Sequence, residues 1–372
     1  MNNVNDMHAD KLVKLVNKTA DTFNFQAKKS RISFSKPQKA LIILPEFIGD
    51  IILLTPAIRN LHYNLGKTVK LDLVGNINAK NLLETLPYFD NFYLDGNEID
   101  SKRIFLKKNK YDTIFLFNFR FFWALAGYQA KVQQRISFSL EKLGLENIFL
   151  WWKFMTHLIK SATVYDKKHQ INIYLDLLKT LQLDVNNDYP EIILTKNDIN
   201  KANTLIKDIP GQKVLIHATA GSSGKQWDFD NWAVIIKYLK EKHNFSIIST
   251  GSSSEKNIYD YLSKKSGVEI HNLCGKTTIR ETIALFRHIN LAITLDTAAA
   301  HFAAAANIKN IIIIYGPTNE FQWKPYAPNS YVKQICLDIN CRPCLTRLCR
   351  HRKCLTDITP DLIIDAVENT II

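Results

Sequence analysis

The chain has 372 residues, 46% of them hydrophobic and 22% charged, with a formal net charge of +13. This length accommodates two domains, whereas the lack of ~20 uninterrupted apolar residues excludes a membrane-spanning helix, and the N-terminus lacks the apolar stretch of a signal peptide. We therefore expect a cytoplasmic protein whose charge suits an anionic partner: a nucleic acid, an anionic membrane surface or a phosphorylated substrate.

Strand and helix signals alternate through a first domain at 38–185, which follows a basic arm at 1–37 with apolar residues at roughly helical spacing. Apolar runs predict buried strands at 40–45, 69–75 and 111–117, and helices at 51–65 and 79–86. Such alternation is typical of a parallel sheet covered by helices on both faces.

The stretch at 118–169 is different, because it is aromatic and basic and has no clear period. We interpret it as an insertion of loops and helices outside the sheet core. Trp and Tyr interleaved with Lys and Arg suit an amphipathic anionic acceptor or a membrane interface. An aromatic satellite of the core is the alternative.

A second domain at 186–358 repeats the alternation after a polar, proline-containing bridge near 183–195. Its strands are predicted at 213–219, 245–250, 291–295 and 311–315. The segment 359–372 begins with Thr-Pro and is amphipathic, which predicts a final helix. Two Rossmann-like units in sequence predict a cleft between the carboxyl-terminal edges of their sheets, where ligands bind.

The first candidate motif is the loop EFIGD at 46–50, between a strand and a helix of the first domain. Gly49 allows close backbone approach. A carboxylate at the helix start, from Asp50, can act as general base on a hydroxyl nucleophile. The alternative is that Asp50 is simply the N-cap of the helix.

Two further motifs follow successive strands of the second domain. The first offers the Thr219 hydroxyl and the Lys225 ammonium group for a diphosphate, but it is not a P-loop, because Gln226 follows the Gly-Lys pair. The second contains Glu255, at a position where an acidic residue can bind a ribose hydroxyl pair. Its glycine spacing does not match the GxGxxG motif of a nicotinamide site.

The stretch 291–318 predicts a buried strand, a polar break, a helix that opens in an alanine run, and a second strand. Small side chains leave the free N–H groups of the first helical turn uncovered, and such groups attract phosphate. His301 lies one turn inside the helix, within reach of the same anion. A helix packed tightly on a sheet is the alternative. The candidate anion-binding residues at the break are Asp296, Thr297, Ala298 and Ala299.

Three segments resemble the heptosyltransferase family, glycosyltransferase family 9. IGDIILLTPAIRNL resembles its IGD-x5-P signature, HATAGSSGKQWDFDNW its HA(S/T)…K-x-W…W segment, and 272–326 its D(S/T)GxxHxAAA core with the GKTSL-like and GPTxPxxWxP-like flanks. The motifs occur in the family's order along both domains. The resemblance implies an α/β protein of the GT-B fold, with two Rossmann-like domains facing a central cleft and a C-terminal helix that crosses back to the first.

The resemblance also implies inverting sugar transfer without a catalytic metal, usually of heptose from ADP-heptose to the lipopolysaccharide inner core. Asp50, in the acceptor loop with Gly49, matches the general base, and Lys225 matches the lysine that stabilises the leaving diphosphate. The matched donor contacts are Thr219, Lys225, Glu255, Asp296, Thr297, Ala298, Ala299 and His301. The implied partners are a nucleotide-sugar donor, a lipid-linked or glycan acceptor and the anionic cytoplasmic face of the inner membrane; no nucleic acid is expected.

The sequence departs from the family at Ala298, where the family has glycine, so a positive φ at this position would cost energy. Two alternatives to heptosyl transfer stay open. One is another GT-B activity on a nucleotide sugar, with a different hexose donor or as a 2-epimerase. The other is a nucleic-acid-binding module, although no RNA- or DNA-binding signature occurs.

Four of the six cysteines follow the pattern C-x2-C-x4-C-x4-C, and they are Cys341, Cys344, Cys349 and Cys354. This spacing is compatible with a structural zinc or iron site. Reduced or partly paired thiols are the alternative, since a cytoplasmic location disfavours obligatory disulfides. A similar cysteine pattern ahead of the last helix occurs in the family that the chain resembles.

Overall fold

The computed structural model describes residues 38–96, 98–139, 151, 153–160, 166–344, 349 and 351–371. The predicted basic arm at 1–37 lies outside the described residues. Within these ranges, no helix combines the length and the apolar character that crossing a lipid bilayer requires.

Six parallel strands form the sheet of the first domain, in the order β3-β2-β1-β4-β5-β6. They are β1 Gln38–Ile43, β2 Val69–Gly75, β3 Asn91–Leu94, β4 Thr113–Leu116, β5 Gln134–Ser139 and β6 His157–Lys160. The helices of this part of the chain are α1 Ile48–Leu65, α2 Ile77–Leu83, α3 Ile99–Asn109, α4 Phe121–Gln129 and α5 Gln170–Thr180.

Two of these strands lie within 118–169, so the prediction of loops and helices outside the sheet core is wrong there. β5 pairs with β4, and β6 pairs with β5. In β5, buried Ile136 and Phe138 alternate with polar residues, and the hydroxyl of buried Ser137 donates to the carbonyl of Leu116 at 2.8 Å. A search for continuous apolar runs overlooks such a strand, because its signal is a period of two.

The second domain repeats the architecture, in the order β12-β11-β10-β7-β8-β9. Its strands are β7 Lys213–His217, β8 Ser246–Ser249, β9 Ile270–Asn272, β10 Leu291–Leu295, β11 Asn310–Ile314 and β12 Tyr331–Ile335. Its helices are α6 Lys196–Ile206, α7 Phe229–His243, α8 Lys256–Ser266, α9 Ile279–Phe286, α10 Ala298–Ala305, α11 Glu320–Trp323, α12 Lys353–Thr356 and α13 Pro360–Ile371.

Both sheets have the same strand order, with the first strand at the centre and the fourth strand on its other side. The order therefore reverses between β1 and β4 in the first domain, and between β7 and β10 in the second. Crevices at such reversal points bind the ligands of open α/β sheets. The two Rossmann-like units confirm the predicted architecture and place one binding crevice in each domain.

Helix α13 packs on the second domain, so the predicted crossing back to the first domain is wrong. Its buried Ile363 and Val367 join the apolar cluster that contains Trp232 of α7. Glu368 accepts hydrogen bonds from Tyr238 and, at 2.7 Å, from His243. The amphipathic stripe of α13 is thus buried beside α7, on the domain from which the helix comes.

Helix α1 begins at Ile48, three residues earlier than predicted, and continues through Pro56. A proline inside a helix leaves the carbonyl four residues earlier without its N–H donor. Here that carbonyl belongs to Ile52, and it accepts the Thr55 hydroxyl at 2.8 Å instead. The hydroxyl compensates for the missing backbone donor, so the helix can present its first turn to the cleft and its last turns to the linker.

Three side chains near the end of α1 bind the backbone of the interdomain linker. Arg59 donates to the carbonyl of Tyr189 at 2.9 Å, Asn60 to that of residue 187 at 2.6 Å, and Asn64 to that of residue 184 at 2.8 Å. Arg59 also pairs with Glu191 at 3.1 Å. These contacts attach the linker to the first domain.

Arg280 on α9 joins the two domains directly. Its guanidinium pairs with the Glu84 carboxylate at 2.8 Å and donates to the carbonyl of Asn81, both in the α2 region of the first domain. Its Nε also pairs with Asp198 of α6 at 3.1 Å. One cation thus bonds to both domains and ties α9 to α2.

Replacing Arg59 with Ala is expected to lower the free energy of unfolding by about 3 kcal/mol, because the large buried side chain leaves a cavity and its bonds to the linker are lost. The Arg59 side chain is 2% exposed and that of Glu191 30%. Urea unfolding followed by circular dichroism measures the change. The control is Arg103→Ala, whose ion pair with Asp100 is exposed on both sides and should contribute less than about 1 kcal/mol. Equal losses in the two variants would contradict this prediction.

Candidate active site

The binding crevices of the two domains face each other, and the predicted residues Asp50, Lys225, Asp296 and His301 lie around the space between them. Asp50 is on α1, which follows β1. Lys225 ends a short turn after β7, while Asp296 directly follows β10. Because the carboxyl ends of parallel strands lie at one edge of a sheet, residues far apart in sequence share this cleft.

Asp50 lies in the first turn of α1, but it is not the N-cap. That position belongs to Phe47, which makes no side-chain cap, and no hydrogen bond to the Asp50 carboxylate occurs among the described residues. Desolvation by the surrounding protein raises the pKa of half-buried Asp50 to about 7, an effect that Lys225 opposes and Asp296 strengthens. A carboxyl group that titrates near neutral pH suits a general base.

Lys225 and Asp296 form an ion pair at the edge of the second sheet. The Lys225 Nζ lies 2.7 Å from Asp296 Oδ2 and 3.4 Å from the Asp296 carbonyl oxygen. The Thr318 hydroxyl donates to the same carboxylate oxygen. Lys225 keeps about a third of its side chain exposed, so its ammonium group remains accessible from the cleft and can bind a second anion beside Asp296.

The start of α10 is open, as the alanine run predicts. Thr297 is the N-cap and makes no side-chain cap, and the N–H groups of Ala298 and Ala299 belong to the first turn, which has no intrahelical acceptors. Ala298 is not among the described residues with positive φ, so the expected strain from replacing a glycine is absent. Alanine fits because this turn is right-handed, and its N–H groups remain available to a phosphate.

His301 and Gly49 bring the two domains into contact at the cleft. A Cβ atom built on Gly49 would lie 2.8 Å from His301 Cδ2 and 3.2 Å from Nε2. The imidazole is 6% exposed, and burial lowers the pKa of His301 to about 4 despite the opposing charge of Asp296. The ring is therefore neutral near pH 7 and lies against the turn that carries Asp50.

Thr219 and Glu255 meet one strand further along the same edge. The Thr219 hydroxyl donates to Glu255 Oε1, while Oε2 accepts from the Ser252 backbone N–H and hydroxyl, each at 2.6 Å. Although burial opposes ionisation, these hydrogen bonds lower the pKa of Glu255. The predicted ribose-binding carboxylate thus already accepts hydrogen bonds on both oxygens, as part of a capping box.

Two residues of the site were not identified from the sequence. Thr318 ends the Gly-Pro-Thr segment after β11. Its position at the end of a strand of the second sheet is the sequence signal that could have identified it as a site residue. Tyr174 is fully buried on α5, where burial and the nearby Asp50 raise the pKa of its hydroxyl well above the usual value. No sequence signal distinguishes Tyr174 from an ordinary core residue of an amphipathic helix.

The four clustered cysteines line one cavity of about 320 Å³ behind the Lys225 loop. Their thiols are free, and in the described part of the chain no three His, Cys, Asp or Glu side chains are placed to hold a metal ion. The zinc or iron site that the spacing suggests stays a prediction. The same segment contacts the candidate site, since Cys344 donates its N–H to the Pro317 carbonyl at 2.8 Å.

Across the cleft, the site combines a carboxyl group in the first domain with a cation and an open helix start in the second. A diphosphate bound at Lys225 and α10 would place its substituent near Asp50. A hydroxyl group that enters from the first domain could then lose its proton to Asp50 as it attacks. This arrangement suits group transfer from a diphosphate-activated donor to a separate acceptor.

Similarity to known proteins agrees with this interpretation. The family model for glycosyltransferase family 9 (heptosyltransferase) matches residues 103–355. The chain is 25% identical to lipooligosaccharide heptosyltransferase 2 of Campylobacter jejuni over 342 residues, which cover 89% of this chain and 98% of that protein. It is also 25% identical to lipopolysaccharide heptosyltransferase 3 of Escherichia coli K12 over 333 residues, or 86% and 94% of the two chains.

Solved structures share the architecture. A glycosyl transferase family 9 structure from Veillonella parvula has a TM-score of 0.72 at 16% identity and covers 90% of this chain and 97% of its own. The ADP-heptose LPS heptosyltransferase II of E. coli has a TM-score of 0.68 at 17% identity, with coverage of 89% and 98%. The predicted GT-B fold is confirmed, and because the family model matches well over half of its length, this chain belongs to glycosyltransferase family 9, the heptosyltransferases.

Proposed function

We propose that this protein is an inverting heptosyltransferase that transfers heptose from ADP-heptose to the core of lipopolysaccharide or lipooligosaccharide. The observation that carries the proposal is the placement of the Asp50 carboxyl group opposite the Lys225–Asp296 pair and the open start of α10. The names of the curated relatives, which match this chain over most of their length, support the acceptor class. The name of the E. coli structural neighbour supports the donor.

The reaction proposed is a single displacement. The acceptor oxygen forms a bond to the anomeric carbon while its proton passes to Asp50, and the bond from that carbon to the diphosphate oxygen breaks with its electron pair. Lys225 and the N–H groups at the start of α10 stabilise the negative charge on the departing ADP. One displacement inverts the anomeric carbon, and this placement of charge requires no catalytic metal.

The remaining donor contacts are assigned by position along the sheet edge. Thr297, Ala298 and Ala299 surround the diphosphate, whereas Thr219 and Glu255 lie further along, toward the nucleoside. Because both oxygens of Glu255 already accept hydrogen bonds, binding of a ribose hydroxyl there replaces or shares one of these contacts. Asp296 orients Lys225 through their ion pair.

The acceptor is proposed to be a lipid-linked glycan, reached from the first domain. An enzyme that modifies such an acceptor works at a membrane surface, and a net charge of +13 favours an anionic leaflet. Peripheral association with the cytoplasmic face of the inner membrane follows from this proposal.

A donor screen tests the function. Thermal melting with ADP, UDP and GDP sugars is expected to give the largest shift with ADP-heptose, and heptose transfer to truncated lipid A–core acceptors should follow. Transfer should persist in EDTA, because Lys225 and α10 provide the positive charge. Selective binding and transfer of another nucleotide sugar would instead favour a different GT-B activity, and loss of turnover in EDTA would contradict metal-free transfer.

Replacing Asp50 with Asn should reduce kcat by about 10²- to 10⁴-fold, because an amide of similar shape cannot take the proton. The dissociation constant for ADP, measured by calorimetry, should change little. Asp100→Asn is the matched control, since this carboxylate is 72% exposed on α3 and pairs with Arg103. Full turnover in the Asp50 variant would exclude Asp50 as the base.

The pH profile should report the ionisation of Asp50. A base with a pKa near 7 is inactive when protonated, so kcat/KM should rise with pH and level off above about 7. Lys225 lowers the pKa of Asp50, so Lys225→Met should move this rise to higher pH and reduce kcat by about 10²-fold. The exposed Lys237 provides the control Lys237→Met. A profile flat down to about pH 5, or a shift of the Lys225 variant to lower pH, would contradict this assignment.

A further inference from the structure

The contact between His301 and Gly49 joins the donor-binding helix to the turn that carries the base. We propose that His301 is a positioning residue, which holds the Asp50 turn of the first domain in place from the donor-binding helix of the second. This inference rests on the proposed function, because it assigns a role in that reaction. It goes beyond the donor contact that the family resemblance implies for His301.

The glycine at position 49 is explained by this contact alone. Its φ is not in the positive range, so the backbone does not require glycine. The space does, because a Cβ atom there would approach the imidazole to 2.8 Å, closer than real Cβ contacts. Gly49 therefore allows the ring of His301 to lie directly on the backbone of α1, one residue before Asp50.

The imidazole has the properties of a packing element and not of a charge. It is buried, and the lowered pKa of about 4 keeps it neutral, so it adds no positive charge for a diphosphate. Its Cδ2 edge faces Gly49, which directs Nδ1 away from that residue. Within the described chain, Nδ1 is buried without a hydrogen-bond partner, so no hydrogen bond to that nitrogen explains why a histidine is placed here.

Asp50 depends on its backbone for position, because no described residue hydrogen-bonds its carboxylate. The charged or titratable groups that face it are Lys225 after β7, Asp296 after β10 and Tyr174 on α5. None of these holds the carboxylate directly. The contact of His301 with the preceding residue therefore connects the backbone of Asp50 directly to the donor-binding helix.

A double-mutant cycle tests the inference with wild type, Gly49→Ala, His301→Ala and the double variant. A displacement of about 1 Å can cost about 10²-fold in rate, so each single variant should lose on that order in kcat. The KM for ADP-heptose should stay nearly constant in Gly49→Ala, which leaves every donor contact in place. In the double variant the new methyl group occupies the space left by the imidazole. The double variant should therefore be no slower than His301→Ala alone, which is a non-additive result.

The pH profile provides a readout at Asp50 itself, which a loss of packing elsewhere in the protein would not move. His301→Ala should admit water beside Asp50, so the rise of kcat/KM should shift to lower pH. Gly96→Ala is the matched control, because a Cβ atom there would meet no atom within 4 Å. Melting shifts with ADP establish that Gly49→Ala folds and binds the nucleotide; loss of the shift in this variant would overturn the proposal, since Gly49 would then serve donor binding or folding.

Independent losses that multiply in the double variant would also overturn it, and so would a raised KM for ADP-heptose with unchanged kcat in Gly49→Ala. If the wild type binds ADP yet transfers no sugar in the same assay, the proposed function fails and this inference fails with it. If the wild type transfers heptose and the cycle is additive, only the role of His301 is wrong.

Discussion

Helices α1 and α10 begin against each other across the cleft, and the arrangement of the site depends on this close approach. The N-terminus of a helix carries partial positive charge from its unpaired N–H groups. Two such ends in one cleft favour negative charge between them, which Asp296 supplies in the free protein and a diphosphate would supply in the complex. Gly49 and the alanines of α10 permit the approach, since bulkier side chains would separate the two helices.

In the proposed reaction, Lys225 links the charge of the donor to the ionisation of Asp50. In the free protein it pairs with Asp296 and lowers the pKa of Asp50. A diphosphate bound at Lys225 adds negative charge near Asp50 and opposes its ionisation, whereas departure of ADP removes that charge. The same lysine therefore acts on both sides of the cleft, and one substitution should disturb leaving-group stabilisation and base strength together.

The sequence was most informative where local pattern and tertiary position agree. Strand β10 has the predicted bounds, and the meeting of Asp50, Lys225 and Asp296 follows from the carboxyl edges of two parallel sheets. The search for apolar runs missed β5, where apolar and polar residues alternate. It also missed α3, which is polar and buries only Lys102 and Leu106 among its residues. The docking of α13 and the place of Tyr174 depend on tertiary packing, because an amphipathic stripe does not specify which surface will cover it.

The bonds between α1 and the linker determine which part of the linker belongs to the first domain. Beyond the contacts of the asparagines and Arg59, Glu191 donates its N–H to the Thr55 hydroxyl at 3.0 Å, and the carbonyl of Ile193 accepts from Thr85 at 2.8 Å. The linker is thus bonded to the first domain up to Ile193, while α6 begins at Lys196 and packs on α9. Thr195 is the N-cap of α6 and bonds to Asp198, so within the described chain Leu194 alone separates the segment bonded to the first domain from the first helix of the second.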